Sequence, residues 1–235
     1  MDSLFFGGYD AAIDICKKRL SSGKVTKVFT PNAEMLSAAH NDVKLRKLLS
    51  GGDLLIPDGI GVYLGGKILK KFPFERTNGI DFAEILINQF PNKPLFLLGS
   101  SEQNAKNAAT NIKAKYGANV VGSNHGFFKK SGEENEAVIE KINSSGAEIL
   151  FVCMGFPLQE KWICENISKL KTVKLAIGLG GSIDVWSGRV ERAPIFFRRI
   201  GAEWIFRAFS SPKRIKRLPS LFNFGFLCLK KAHFL

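Results

Sequence analysis

The four cysteines of this 235-residue chain, at positions 16, 153, 164 and 228, form no CxxC pair and no metal-ligand spacing. That argues against a disulfide framework or a structural zinc site and reads as free thiols in a reducing compartment, Cys153 and Cys228 lying inside apolar segments. No stretch approaches the roughly 18 uninterrupted apolar residues of a membrane span. Asp2, Asp10 and Asp14 interrupt the early apolar residues, so no signal peptide is expected. The protein is therefore expected in the cytosol or on a membrane surface. No GxGxxG follows the first strand with an acid about 20 residues on, which weighs against a dinucleotide oxidoreductase. There is no Walker A lysine pattern, and no Asp-x-Asp to clamp a metal on a diphosphate. If a diphosphate leaves here, cationic side chains must neutralise it, and Arg76 and the C-terminal arginines are the supply. Internal repeats and low-complexity linkers are missing too.

What the chain does have is apolar content and positive charge. At 45% hydrophobic it can build one sizeable domain with an appendage. The net charge of +13 is uneven: from Arg189 onward there are 11 Lys/Arg and 2 Asp/Glu, against 23 and 19 before it. The segment from Pro194 onward also holds 8 of the 20 phenylalanines. A basic, aromatic tail on a nearly balanced body suits an anionic lipid surface or phosphates. Nucleic acid is the rival partner, but no nucleic-acid motif accompanies the charge, and clustered Phe fits lipid better.

The body alternates short apolar runs with amphipathic stretches. "KVTKVFT" (24–30), "DLLIP" (53–57), "PLFLLGS" (94–100), "ANVVGS" (118–123), "AEILFVCMG" (147–155) and "VKLAIGLGG" (173–181) read as strands. Between them, Asn32–Ser50 reads as one helix stopped by Gly51-Gly52, followed by helices at 78–90, 101–117, 133–146 and 157–170. Near-continuous apolar strands alternating with helices mean an α/β fold: a Rossmann-like parallel sheet flanked by helices. In such sheets ligands sit beyond the carboxyl ends of the strands. The loops there are "TPN", "PDGIG", "GS", "GSNHGFF", "MGFPLQE" and "GLGGSIDVWSG". Glycines let backbone N–H groups approach a ligand, and helix N-termini favour phosphate, so a nucleotide or other phosphorylated ligand is expected.

Each candidate has a plainer reading. Asn32 and Asp58 are both good helix N-caps. Asp58, between Pro57 and Gly59, either caps a helix or points into the cleft as a base. Thr30 fits an ordinary strand, His125 a loop hydrogen bond, and Trp162 and Trp186 core packing.

Several of these stretches together resemble the WecG/TagA/CpsF family of glycosyltransferases. They are "TPNAEML", "PDGIGVYLGGK", "ERTNGIDF", "GFPLQEKWI" and "GLGGSIDVWSGRVERAPIFFRRIGAEWIFRAFSSPKRIKR", in order from about Thr30 to Arg217. The resemblance implies a Rossmann-like catalytic body, 1–190, and a basic, aromatic, helical C-terminal appendage, 191–235, that engages the inner face of the cytoplasmic membrane. It implies an inverting transfer from a UDP-sugar to a polyprenyl-diphosphate-linked acceptor, with no cofactor and no metal. TagA-type members move N-acetylmannosamine to undecaprenyl-diphosphate N-acetylglucosamine in teichoic acid linkage-unit synthesis. Others use the uronic-acid donor or serve capsule and exopolysaccharide assembly. Carried over, Asp58 resembles the catalytic base, and Thr30 and Asn32 its neighbours in the sugar and acceptor pocket. Arg76 and Gln159 match donor-site residues, and Asp184 resembles a uracil or ribose contact. Arg207, Arg214 and Arg217 match appendage arginines that hold the diphosphate. A homo-oligomer stays open, and so does a non-catalytic membrane adaptor on the same scaffold.

Overall fold

Six short apolar segments pair into one all-parallel sheet: β1 (Thr26–Phe29), β2 (Leu54–Leu55), β3 (Leu95–Gly99), β4 (Val120–Asn124), β5 (Ile149–Cys153) and β6 (Leu175–Gly178). Their order across the sheet is β2-β1-β6-β5-β3-β4. The structure is a computed structural model that describes residues 3–22, 25–71, 75–209 and 218–233. Helix α1 (Gly8–Ser22) precedes β1, and helices α2 (Ala33–Asn41), α3 (Val43–Ser50), α4 (Ile60–Ile68), α5 (Gly79–Gln89), α6 (Glu102–Tyr116), α7 (Glu133–Ser144) and α8 (Leu158–Asn166) connect the strands. The short α9 (Ser182–Trp186), α10 (Ile195–Arg199) and α11 (Glu203–Phe209) follow β6, and α12 (Leu218–His233) comes last. The α/β expectation is met: β3 and β5 are buried at every position, as strands covered on both faces must be.

Side chains alternate across each strand and feed two cores. Val28, Leu97, Phe151 and Ile177 meet Ala12, Phe82, Leu86 and Ile112 on one face. Phe29, Phe96, Leu150 and Val152 meet Ile139, Ile142, Trp162 and Phe224 on the other. Trp162 and Trp186 pack as expected. Trp186 stacks on Phe151 with ring centroids 5.7 Å apart. Trp162 donates its indole N–H to Asn135 Oδ1 at 2.7 Å in the opposite core. No disulfide joins the four cysteines, and burial pushes the Cys16 and Cys153 thiols up to about 12, leaving them inert.

The single helix expected over Asn32–Ser50 is two. Asp42 is extended (φ −127°, ψ 114°) and its carboxylate accepts from the backbone N–H of Lys44 and Leu45, starting α3. A short acidic side chain that bonds nearby backbone competes with the helix and restarts it. The apolar periodicity continues across this break and hides it.

Helix α12 lies against α2 and α4. It can approach because α4 offers glycine where a side chain would collide. A Cβ at Gly61 would lie 2.7 Å from Leu221, and one at Gly65 2.7 Å from Phe224 and 2.9 Å from Cys228. Gly65→Leu should therefore unseat α12, since overpacking costs about 1–3 kcal/mol. Amide exchange over 218–233 should accelerate about tenfold or more while β3 and β5 stay protected; unchanged exchange in α12 would refute this account of its seat.

Candidate active site

The chain leaves β1 through Thr30-Pro31-Asn32 and leaves β2 through Ile56-Pro57-Asp58-Gly59. These two exits run side by side as a parallel bridge between Asn32 and Asp58. Thr30 is buried and donates its hydroxyl to the Gly178 carbonyl at 2.8 Å, tying the end of β1 to the end of β6. Asn32 accepts from Met35 N–H at 3.0 Å and is the N-cap of α2.

Asp58 caps a helix, but not the one that follows it. Gly59 is the N-cap of α4, with φ +86°, a conformation glycine adopts without strain. Asp58 Oδ1 instead accepts from Gly79 N–H, the first residue of α5, at 2.9 Å. Its own N–H donates to the Pro31 carbonyl at 3.0 Å. Thr77 grips the turn from both sides: its carbonyl accepts from Gly59 N–H at 2.8 Å and its hydroxyl donates to the Pro57 carbonyl. Tyr9 of α1 supports the same loop, its hydroxyl accepting from Asn78 N–H at 2.8 Å. Burial first, then Asp81, Asp58 and Glu75 nearby, raise the Tyr9 pKa, so the phenol stays protonated. Asp58 is thus a half-buried residue at the rim of a cleft, its backbone turn held by Pro31 and Thr77 and its carboxylate bonded to Gly79 N–H.

That cleft has a volume of about 670 Å³ and crosses the carboxyl ends of the strands. Thr30, Asn32, Asp58, Arg76, Gln159 and Asp184 all line it, so the six body residues singled out in the sequence converge on one cavity. Their local partners differ from what the motifs suggest. Arg76 donates to the carbonyls of Arg198 and Arg199, at the C-terminal end of α10. Gln159 is 2% exposed. Its Oε1 accepts from Gly155 N–H at 3.2 Å and Gly180 N–H at 2.9 Å, joining the loops after β5 and β6. Asp184 Oδ1 accepts from Ser100 Oγ and from Asn104 Nδ2, the latter at 3.0 Å, with Arg189 Nη1 at 3.5 Å.

Sequence reasoning missed Arg189, Arg198, Trp204 and Phe127, which also line the cleft. Arg189 and Arg198 belong to the basic tail flagged by composition, while Phe127 lies in the flagged "GSNHGFF" loop. His125 makes the expected loop hydrogen bond, its Nδ1 accepting from Phe127 N–H at 3.1 Å. Of the appendage arginines, Arg214 and Arg217 lie outside the described residues, as does the side chain of Arg207. Among the described residues no three His, Cys, Asp or Glu gather to hold a metal ion, and no helix is long and apolar enough to cross a membrane.

An all-parallel α/β sheet with a glycine-lined cleft beyond its strand ends, flanked by arginines, is a Rossmann-like ligand-binding fold. The model of the glycosyl transferase WecG/TagA/CpsF family matches residues 7–234, and the chain belongs to that family. It is accordingly a glycosyltransferase of cell-surface polysaccharide synthesis, working on a sugar donor and an acceptor.

Proposed function

We propose that this protein transfers N-acetylmannosamine from its UDP donor to undecaprenyl-diphosphate-linked N-acetylglucosamine, inverting the anomeric carbon, at the inner face of the cytoplasmic membrane. In teichoic acid synthesis that transfer is a step of linkage-unit assembly. The observation that carries this reading is the fixed Asp58 carboxylate on the wall of the same cleft as Asp184, Arg189 and Arg198. Inversion in one displacement asks for a base about 3 Å from the attacking hydroxyl and positive charge where the diphosphate departs. Asp58 follows β2 at one edge of the sheet, whereas the Ser100–Asp184 pair lies over β3, on the far side of β1, β6 and β5. The acceptor is assigned to the Asp58 side, with Thr30 and Asn32, and the nucleotide to the Asp184 side. Arg198 and Arg189, together with Arg207, Arg214 and Arg217, are assigned to the diphosphate.

Residues 1–190 form the catalytic body in this reading, and 191–235 an appendage that meets anionic lipid. Phe222, Phe226 and Leu229, spaced to share one face of α12, are 70%, 68% and 58% exposed, beside Lys230 and Lys231. Nucleic acid has no place in this scheme.

The deciding experiment is UDP release by the purified chain with a short-chain lipid-diphosphate N-acetylglucosamine acceptor. UDP-N-acetylmannosamine, its uronic acid and UDP-glucose are offered in parallel, with and without EDTA. Acceptor-dependent release from UDP-N-acetylmannosamine alone, unaffected by EDTA, is the expected result. Release from another donor would reassign the sugar, and failure to bind UDP at all would reject the nucleotide assignment.

A further inference from the structure

Arg192 stands in the chain between α9 and α10, and its side chain, only 16% exposed, is turned onto α5. Nη2 pairs with Asp81 Oδ1, and Nη1 lies 3.6 Å from Glu84 Oε2. Each carboxylate has a second partner. Asp81 Oδ2 accepts from Asn78 Nδ2 at 3.0 Å, and Glu84 Oε1 accepts from the Trp186 indole N–H at 3.1 Å. Asn78 is the N-cap of α5, and the residue after it is Gly79, whose N–H holds Asp58 Oδ1. A continuous line therefore runs from Arg192 through Asp81, Asn78 and Gly79 to the Asp58 carboxylate. Arg192, Asp81 and Glu84 are not among the residues that line the cleft, so what they do for the reaction passes through the residues that are.

Stability alone does not call for this cluster. Charges taken out of water gain little over apolar side chains of the same size, and among the described residues Arg192 Nε is buried without a hydrogen-bond partner. What a guanidinium offers instead is a planar fork that spans two carboxylates in a set geometry. Asp81 and Glu84 are neighbours on one face of α5, so the fork fixes the rotation of that helix as well as its position. We propose that Arg192 is a positioning residue: it clamps Asp81 and Glu84, sets the first turn of α5, and through Gly79 N–H aims the Asp58 carboxylate at the acceptor hydroxyl. The inference rests on the reading of Asp58 as the base and adds to it the residue that aims it. A displacement of about 1 Å at a reacting group costs on the order of 10²-fold in rate. The nucleotide, assigned to the other side of the cleft, does not depend on α5.

The test compares kcat for transfer from UDP-N-acetylmannosamine to the short-chain acceptor with the affinity for UDP, in the full chain. Arg192→Gln should lower kcat about tenfold or more and leave UDP affinity unchanged. Asp81→Asn keeps an oxygen for Asn78 but loses the charge that Arg192 grips; it should behave in the same way, and it carries the test if Arg192→Gln folds poorly. Placed on Asp58→Asn, Arg192→Gln should cost no further rate, because residues that act as a unit are not additive. A merely structural cluster would add its loss to that of Asp58. Wild-type kcat in both single variants overturns the clamp and leaves the base standing. Full additivity with Asp58→Asn overturns it too, as does a fall in UDP affinity that matches the fall in kcat. Asp58→Asn turning over at the wild-type rate removes the base and the clamp together.

Discussion

Asp58→Asn should lower the rate of sugar transfer by about 10²–10⁴-fold, the range a positioned base contributes, while UDP still binds. The substitution isolates basicity because the geometry around the side chain survives it. An amide oxygen can accept from Gly79 N–H as the carboxylate does at 2.9 Å. The backbone grip from Pro31 and Thr77 does not involve the side chain. At the start of α5 the exchange removes a charge worth about 0.3–1 kcal/mol, so the melting temperature should move little. Transfer at the wild-type rate would show that Asp58 only caps α5. A collapse of both melting temperature and UDP affinity would show that its role is structural. Asp58→Ala is a poorer experiment, since it removes the cap along with the base.

Gln159→Leu should be among the most destabilising polar substitutions in the chain, and it should weaken the donor site with the same stroke. Leucine nearly matches glutamine in size but leaves three groups stranded: the N–H of Gly155, the N–H of Gly180, and Glu160 Oε1, which now accepts from Gln159 Nε2 at 2.8 Å. A buried polar group without a partner costs about 1–3 kcal/mol, so a loss of about 3 kcal/mol or more is expected. In a domain of this size that lowers the melting temperature by roughly 6–12 °C. The loops after β5 and β6 lose their common anchor, so UDP affinity should fall with stability. Glu160→Gln should be far milder. Glu160 is fully buried and burial raises its pKa, favouring the neutral acid that glutamine imitates. Thermal melts and UDP titrations of the two variants decide the matter; a Gln159→Leu protein that melts and binds like wild type would refute the anchoring role.

The strands were legible because a parallel sheet covered on both faces leaves an unambiguous trace: Leu95–Gly99 and Ile149–Cys153 are apolar at nearly every position and buried at all of them. The glycine loops that end the strands were legible too, and the motif residues they carry do converge on one cleft. The break at Asp42 was not, because local side-chain bonding leaves the apolar period intact. Nor was the cap that Asp58 provides, since its partner Gly79 lies in another helix and only the parallel exits of β1 and β2 bring them together. Gln159 and Arg76 read as substrate ligands in the motifs, whereas their closest bonds are to the protein's own loops and to α10. Phe127 was hidden by kind: next to Phe128 nothing in the sequence tells an inward ring from an outward one.

The place of β6 between β1 and β5 dictates when the catalytic cleft can exist. Before that strand is made, the chain can pair β1 with β2, and β5 with β3 and β4, but nothing joins the two half-sheets. Thr30 and Asp58 would end one half, Ser100 and Gln159 the other. Emerging from the ribosome, the protein carries two open strand edges facing a gap, the kind of surface that recruits wrong partners and slows folding. Only when Leu175–Gly178 slides in and its two flanks zip to Thr26–Phe29 and Ile149–Val152 do both halves of the cleft meet. Competence to bind a donor is thus a property of the nearly finished chain, and truncated products of this gene should be sticky before they are active.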